Sequence, residues 1–123
     1  CMNGAMLKES KKMNKDELII KNIIKYINEL DLITKDKDET FFFDNTNEFN
    51  KVINRVVKIG ECLSKVSDET KNKYSNINWN IIKEKAFDEE QVGHELNVKD
   101  AYDLASKLLK EELYDKLIEL IKR

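Results

Sequence analysis

The chain has 123 residues, which suits one domain and is too short for two. It contains no proline and only three glycines, so the turns that a multi-stranded sheet needs are missing. A net charge of −2 excludes the overall basic field of a general nucleic-acid binder, so any RNA contact must be local. With 37% charged residues, we expect an all-α protein with a large solvated surface, folded as an up-and-down bundle of four to five helices.

The N-terminal residues 1–13 are polar and lack a helical apolar pattern, so we expect a flexible segment there. Translation does not start at cysteine, which makes residues 1–6 a candidate cloning remnant, with Met6 or Met13 as candidate native starts. Residues 14–123 then form a single helical domain. Helix one is predicted to begin at Asn14, because apolar residues recur at steps of three and four, namely Leu18, Ile19, Ile23, Ile27 and Leu30.

Residues 34–47 form a charged linker that contains three consecutive phenylalanines, Phe41, Phe42 and Phe43. We expect these rings to plug one end of the bundle. Helix two follows, with an apolar stripe at Phe49, Val52, Ile53, Val56, Ile59, Leu63 and Val66. Gly60 lies on this stripe and lowers helix stability by roughly 1 kcal/mol relative to alanine, which suggests a helix crossing with a close backbone approach.

The second half of the chain predicts three more helical stretches. A short polar helix over 67–74 is opened by Ser67 or Asp68, and a turn follows at 75–78. A third long helix begins near Ile81 and runs to about Val92, where Gly93 ends it. A final helix, capped by Asn97, has an apolar face made by Tyr102, Ala105, Leu109, Leu113, Leu117, Leu120 and Ile121.

The cysteines and the hydropathy pattern suggest where the protein works. One cysteine is terminal and the other, Cys62, sits within a helical pattern, as in proteins of a reducing compartment. No apolar run reaches the roughly 18 residues that a membrane span requires, and no signal-peptide core is present. We therefore expect a cytoplasmic protein with no membrane contact.

Few residues are candidates for chemistry. His94 is the only histidine, the residue type whose ordinary pKa suits proton transfer near neutrality, and it stands beside several carboxylates. It is therefore either simply solvated or a proton-transfer group. A metal site of Glu90 and His94 lacks further ligands, and we expect no metal or cofactor. Cys62 is expected to be a core residue rather than a nucleophile. The lysines at Lys83 and Lys85 could touch phosphate.

From residue 49 to 82 the sequence follows a recognisable order. The segment 52–61 contains an Ile-Gly-Glu step ending at Glu61, and Tyr74, Ile77, Trp79 and the pair Ile81-Ile82 follow it. This order resembles the HepT-like toxins of the HEPN superfamily, in which an Ile-Gly-Glu helix is followed by a short helix, a Tyr-Pro-x-Ile-Pro-Trp turn and an Ile-Ile pair. Ser75 and Asn78 stand where the family has prolines.

The active motif of that family is an arginine, an asparagine, three further residues and a histidine, with a tyrosine two positions beyond. If His94 takes the histidine place after a short insertion, Glu89 and Glu90 stand for the arginine and asparagine, and Leu96 for the tyrosine. Without the insertion, the histidine place falls on Gln91 and the arginine on Ala86. Both alignments lack the arginine.

The resemblance implies a toxin–antitoxin component, a metal-independent endoribonuclease that dimerises and has a nucleotidyltransferase antitoxin as partner. His94 would then be the catalytic acid or base and Lys83 and Lys85 substrate-binding residues. Because the arginine and tyrosine are missing, we expect the ribonuclease activity to be impaired. The alternative is a non-catalytic HEPN interaction module that dimerises and binds a nucleotidyltransferase-like partner. A helical bundle of unrelated role, similar by accident, is the third interpretation.

Overall fold

The structure is a computed structural model that describes the backbone of residues 4–84 and 98–122, and the side chains of residues 15–82, 98–99 and 101–122. All elements in these ranges are helical, as predicted, and no strand occurs among them. The first five helices are α1 (Gly4–Thr34), α2 (Glu39–Asp44), α3 (Thr46–Lys65), α4 (Asp68–Lys73) and α5 (Ile81–Glu84). Two α-helical segments and two π-helical segments then follow without a break: α6 (Val98–Asp103), Leu104–Leu108, Lys110–Tyr114 and α7 (Asp115–Lys122). We call residues 98–122 the C-terminal helix.

Helix α1 packs against both α3 and the C-terminal helix. It is antiparallel to α3, because Glu29 pairs with Arg55 at 3.0 Å while Asp16, earlier in α1, contacts Ser67 beyond the end of α3. It is also antiparallel to the C-terminal helix. Lys110 pairs with Asp31 at 3.1 Å, whereas Tyr102, earlier in the C-terminal helix, donates a hydrogen bond from its hydroxyl to the carbonyl of Lys37, beyond the end of α1, at 2.7 Å. The core therefore lies on both sides of α1. None of the described helices is long and apolar enough to span a membrane.

The buried face of α1 differs in detail from the predicted stripe. Helix α1 begins at Gly4, ahead of the predicted start at Asn14, and the residues between include good helix formers such as alanine, leucine and lysine. Leu18, predicted to be in the core, is 64% exposed. The buried apolar positions are Ile20, Ile23, Ile24, Ile27 and Leu30.

The predicted linker between helices one and two contains the short helix α2. Asp36 adopts a positive φ of 60° directly after α1, a conformation that aspartate tolerates better than most residues. Asp38 then caps α2 by accepting a hydrogen bond from the Phe41 N–H at 3.0 Å. Of the three phenylalanines, only Phe42 is buried, and its ring lies 5.9 Å from that of Tyr102. Phe42 thus joins α2 to the C-terminal helix, whereas Phe43 is exposed.

A buried carboxylate joins α1 to the start of α4. Asp16 is only 6% exposed and accepts hydrogen bonds from the Ser67 hydroxyl at 2.6 Å, the Thr70 hydroxyl at 2.5 Å and the Ser67 N–H at 3.2 Å. The Ser67 hydroxyl also caps α4 by accepting from the Thr70 N–H, as predicted. Because burial of a carboxylate is unfavourable unless it is hydrogen-bonded, this set of contacts fixes where α4 sits on α1.

The π-helical segments explain the spacing of the buried residues in the C-terminal helix. Five of them recur at steps of four: Ala101, Ala105, Leu109, Leu113 and Leu117. In a regular α-helix such a series would drift around the axis by roughly 160° and leave the core face. The Leu109 N–H instead bonds to the Leu104 carbonyl, five residues back, and this wider turn keeps the series on one face.

Replacement of Asp16 tests the buried carboxylate. We expect Asp16→Ala to lower the free energy of unfolding by about 2–3 kcal/mol, because buried donors on Ser67 and Thr70 lose their acceptor. Urea titration measures the change. Asp31→Ala removes a carboxylate of the same helix from its exposed ion pair with Lys110. This change should lower the free energy of unfolding by less than about 1 kcal/mol. Equal effects of the two variants would contradict this account.

Candidate functional site

Of the residues predicted to carry the chemistry, the structure describes only the backbone of Lys83. The backbone of Lys83 belongs to α5, but its side chain, and all of Lys85 and His94, lie outside the described residues. Their catalytic and substrate-binding roles therefore stay predictions. The described structure contains the packing unit that leads into this segment, from α3 through the turn to α5.

Helices α3 and α5 meet at Gly60. A Cβ atom on Gly60 would lie 3.0 Å from Cγ2 of Ile82 and 3.5 Å from its Cβ. Ile82 is buried and β-branched, so its side chain has little freedom to move away. The crossing predicted at Gly60 is confirmed, although the close neighbour is the side chain of Ile82 rather than a backbone.

The turn between α4 and α5 is held by its own hydrogen bonds. The Ile77 N–H donates to the Tyr74 carbonyl at 3.1 Å, and the Trp79 indole N–H donates to the same carbonyl at 3.1 Å. Asn78 accepts from the Asn80 N–H through its side-chain oxygen at 3.2 Å, an Asx turn that favours a chain reversal without proline. Ile77 is buried, and Trp79 is partly buried against the core.

An open cavity of about 480 Å³ lies against this turn. We call it the Trp79 groove; its lining residues are Lys71, Asn72, Ser75, Asn76, Ile77, Asn78, Trp79 and Asn80. Apart from Ile77 and Trp79 the lining is polar, and it contains no acidic residue. The sequence predicts only a turn over this stretch, although asparagines at alternate positions beside the single tryptophan are also a signal of a polar surface next to an aromatic ring.

Lysines surround the turn. Lys71 lines the groove, and the described residues contain no ion pair to it. Lys73 lies with its Nζ 5.6 Å from the centre of the Tyr74 ring, and Lys116 donates to the Asn76 carbonyl at 3.0 Å. The turn therefore combines an indole, amide groups and a local positive charge in a protein whose net charge is negative.

Cys62 lies on α3 and is half-buried. Burial raises the pKa of the Cys62 thiol; Lys65 lowers it and Glu61 raises it, with smaller effects. A thiol with a raised pKa forms little thiolate near neutrality and is a poor nucleophile or metal ligand. Within the described residues, moreover, no three His, Cys, Asp or Glu side chains come together as a metal site would require.

Comparison with known proteins found no matching protein family, no matching curated protein and no matching solved structure.

The contact between Gly60 and Ile82 can be tested by a double-mutant cycle. Gly60→Ala should lower the free energy of unfolding by about 1 kcal/mol, because overpacking against Ile82 outweighs the gain in helix propensity. In an Ile82→Leu background the Cγ2 methyl is absent. Gly60→Ala should there raise the free energy of unfolding by up to about 1 kcal/mol. Ser64→Ala, at an exposed position of α3, is the control and should have the same sign in both backgrounds. An absence of coupling in urea titrations would refute the contact.

The reactivity of Cys62 should follow its raised pKa. In a Cys1→Ser variant, we expect alkylation of folded protein by iodoacetamide at neutral pH to be slower than alkylation of a small free thiol. The rate should rise only at a pH above the usual range of thiol ionisation, because the raised pKa delays formation of the thiolate. Mass spectrometry over a pH series measures it, with urea-unfolded protein as the control. A rate in the folded protein that matches the unfolded protein would show that burial has no effect.

Proposed function

We propose that this protein is a HepT-like component of a toxin–antitoxin pair, a metal-independent endoribonuclease of the HEPN type whose activity is impaired. It acts as a homodimer and has a nucleotidyltransferase-type antitoxin as partner. His94 is the catalytic acid or base, and Lys83 and Lys85 bind the RNA backbone. The proposal rests on the resemblance over residues 49–82 and places the protein in the cytoplasm.

One observation supports this proposal most directly. The residues that carry the resemblance form one packing unit, in which Gly60 of the Ile-Gly-Glu step lies against Ile82 of the Ile-Ile pair. Between them, Trp79 is bound to the carbonyl of Tyr74. A family motif requires its residues to converge in space in this way.

The chemistry explains why the activity is impaired. In a metal-free ribonuclease the 2′-hydroxyl loses its proton and attacks phosphorus, and the leaving 5′-oxygen gains a proton. His94 can carry out one of these proton transfers. The phosphorane also needs cations to stabilise its charge, and the arginine that would supply one is replaced by Glu89 or Ala86. Lys83 or Lys85 supplies a less directional charge than arginine.

A second candidate function is a non-catalytic module that dimerises and binds a nucleotidyltransferase-like partner. The exposed side chains of α1 favour it. Leu18 and Leu32 are 64% and 70% exposed, and they lie on nearly the same side of α1, because their separation is close to four turns of about 3.6 residues. A partner helix that lies along α1 could bury both of these apolar side chains.

An RNA cleavage assay in the presence of EDTA tests the first function. We expect slow cleavage of single-stranded RNA by the wild type and none by His94→Ala, while Lys107→Ala, at an exposed position of the C-terminal helix, remains active. Restoring the family motif with Glu89→Arg and Glu90→Asn should raise the rate by about 100-fold, since a positioned donor contributes that order of transition-state stabilisation. Ala86→Arg with Gln91→His tests the alternative alignment.

Two outcomes separate the candidates. If the wild type and both restored variants are inert, the proposed nuclease function is wrong. A stable dimer in sedimentation equilibrium would then support the non-catalytic interaction module. If the protein is inert and monomeric at high micromolar concentration, both candidates fail. Cleavage that survives His94→Ala would remove His94 from the mechanism.

A further inference from the structure

The Trp79 groove has the dimensions of a ligand site. Its volume of about 480 Å³ falls within the roughly 300–1,000 Å³ of typical small-molecule pockets. It is open to solvent, so that a bound group could belong to a longer chain that enters and leaves at the surface. Its lining combines an aromatic ring with several polar side chains, as ligand sites commonly do.

The indole of Trp79 is held in place for stacking. Its only hydrogen-bond donor is used by the Tyr74 carbonyl at 3.1 Å, and the ring packs against the core. The ring lines the groove, and because its N–H is already bonded, a ligand there can contact the indole only through its carbon atoms. A fixed aromatic surface suits a flat base, which stacks on it regardless of sequence.

The polar lining suits the edges of a nucleobase. Asn72 and Asn76 are exposed at the groove, and each carboxamide carries both a donor and an acceptor, the combination that base edges present. Asn78 contributes less, because its oxygen already accepts from the Asn80 N–H. The amides therefore add hydrogen bonds to the stacking without requiring a particular base.

The charge around the groove suits a phosphate. Lys71 is the charged residue of the lining, which holds no carboxylate to repel an anion. Lys116 lies outside the lining, in an adjacent cavity that Glu119 also lines, and its Nζ is 3.0 Å from the Asn76 carbonyl. A neutral sugar could also stack on an indole and bond to amides, but it would gain nothing from the charge of Lys71. The positive charge therefore favours a nucleotide over a saccharide.

We propose that the Trp79 groove binds a nucleotide of single-stranded RNA, with its base stacked on Trp79, its edge bonded to Asn72 or Asn76, and its phosphate next to Lys71. The groove is a binding site for the RNA strand and takes no part in cleavage. This inference rests on the proposed function in so far as RNA is the substrate, but it concerns binding and requires no activity at His94.

The single tryptophan of the chain makes the test direct, because all indole fluorescence comes from Trp79. The probe is an eight-nucleotide oligoadenylate with 2′-O-methyl groups, which lacks the hydroxyl needed for cleavage. We expect it to quench the fluorescence of the wild-type protein saturably. Lys71→Ala should weaken binding about three- to tenfold and lower the salt dependence by about one counterion. Lys107→Ala, an exposed lysine elsewhere on the C-terminal helix, should change it less than twofold.

A second measurement is needed for Trp79→Leu, which has no indole fluorescence. Anisotropy of a fluorescently labelled copy of the same probe should show that Trp79→Leu weakens binding by at least about fivefold, with circular dichroism to confirm that each variant is folded. Binding of the uncleavable probe, weakened by Lys71→Ala, supports the groove even if the protein cleaves nothing. Cleavage of ordinary RNA with no effect of Lys71→Ala or Trp79→Leu overturns the groove and leaves the nuclease. Absence of quenching at millimolar probe, or quenching by maltotriose and not by RNA, also overturns it.

Discussion

Ile82 lies over Gly60, and the rest of the candidate site depends on this one close approach. Because Gly60 has no side chain, the Ile82 side chain of α5 lies directly on the backbone of α3, and the turn that joins α4 to α5 must return tightly to the surface of α3. Trp79 and Ile77 pack against the core, and the polar residues next to them lie at the surface, where they line the groove.

Much of the fold was predictable from the sequence, since apolar spacing determines which helix faces are buried. Most of the predicted stripes of α3 and of the C-terminal helix are buried, and Ser67 caps α4. Phe49, Ile53, Tyr102 and Ile121 are only partly buried. The failures have physical reasons. Helix α2 is shorter than two turns, too short for periodicity to be recognised, and it depends on the Asp38 cap and on the burial of Phe42. The buried Asp16 has no signature in a hydropathy pattern, because its partners come from residues far along the chain. The π-helical segments did leave a signal, namely apolar residues at regular steps of four, but the pattern was read with the period of an α-helix.

The candidate site was predictable to a different extent. The crossing at Gly60 followed from a glycine on an apolar stripe, where only a close neighbour offsets the loss of helix propensity. The roles of His94, Lys83 and Lys85 came from a family resemblance and remain predictions. The groove was missed because asparagine and serine favour turns, and the same side chains that close a turn can also face a ligand. Only the packing of the turn brings Lys71 of α4 to the same cavity as Trp79.

The close approach of α5 to α3 is most directly tested by nuclear Overhauser contacts in protein with labelled isoleucine γ2 methyl groups. The account predicts a strong cross-peak between the Hα protons of Gly60 and the γ2 methyl of Ile82, because a Cβ placed on Gly60 would lie only 3.0 Å from that methyl carbon. A spectrum in which both resonances are assigned and share no cross-peak would contradict the packing unit, and with it the structural support for the proposed family.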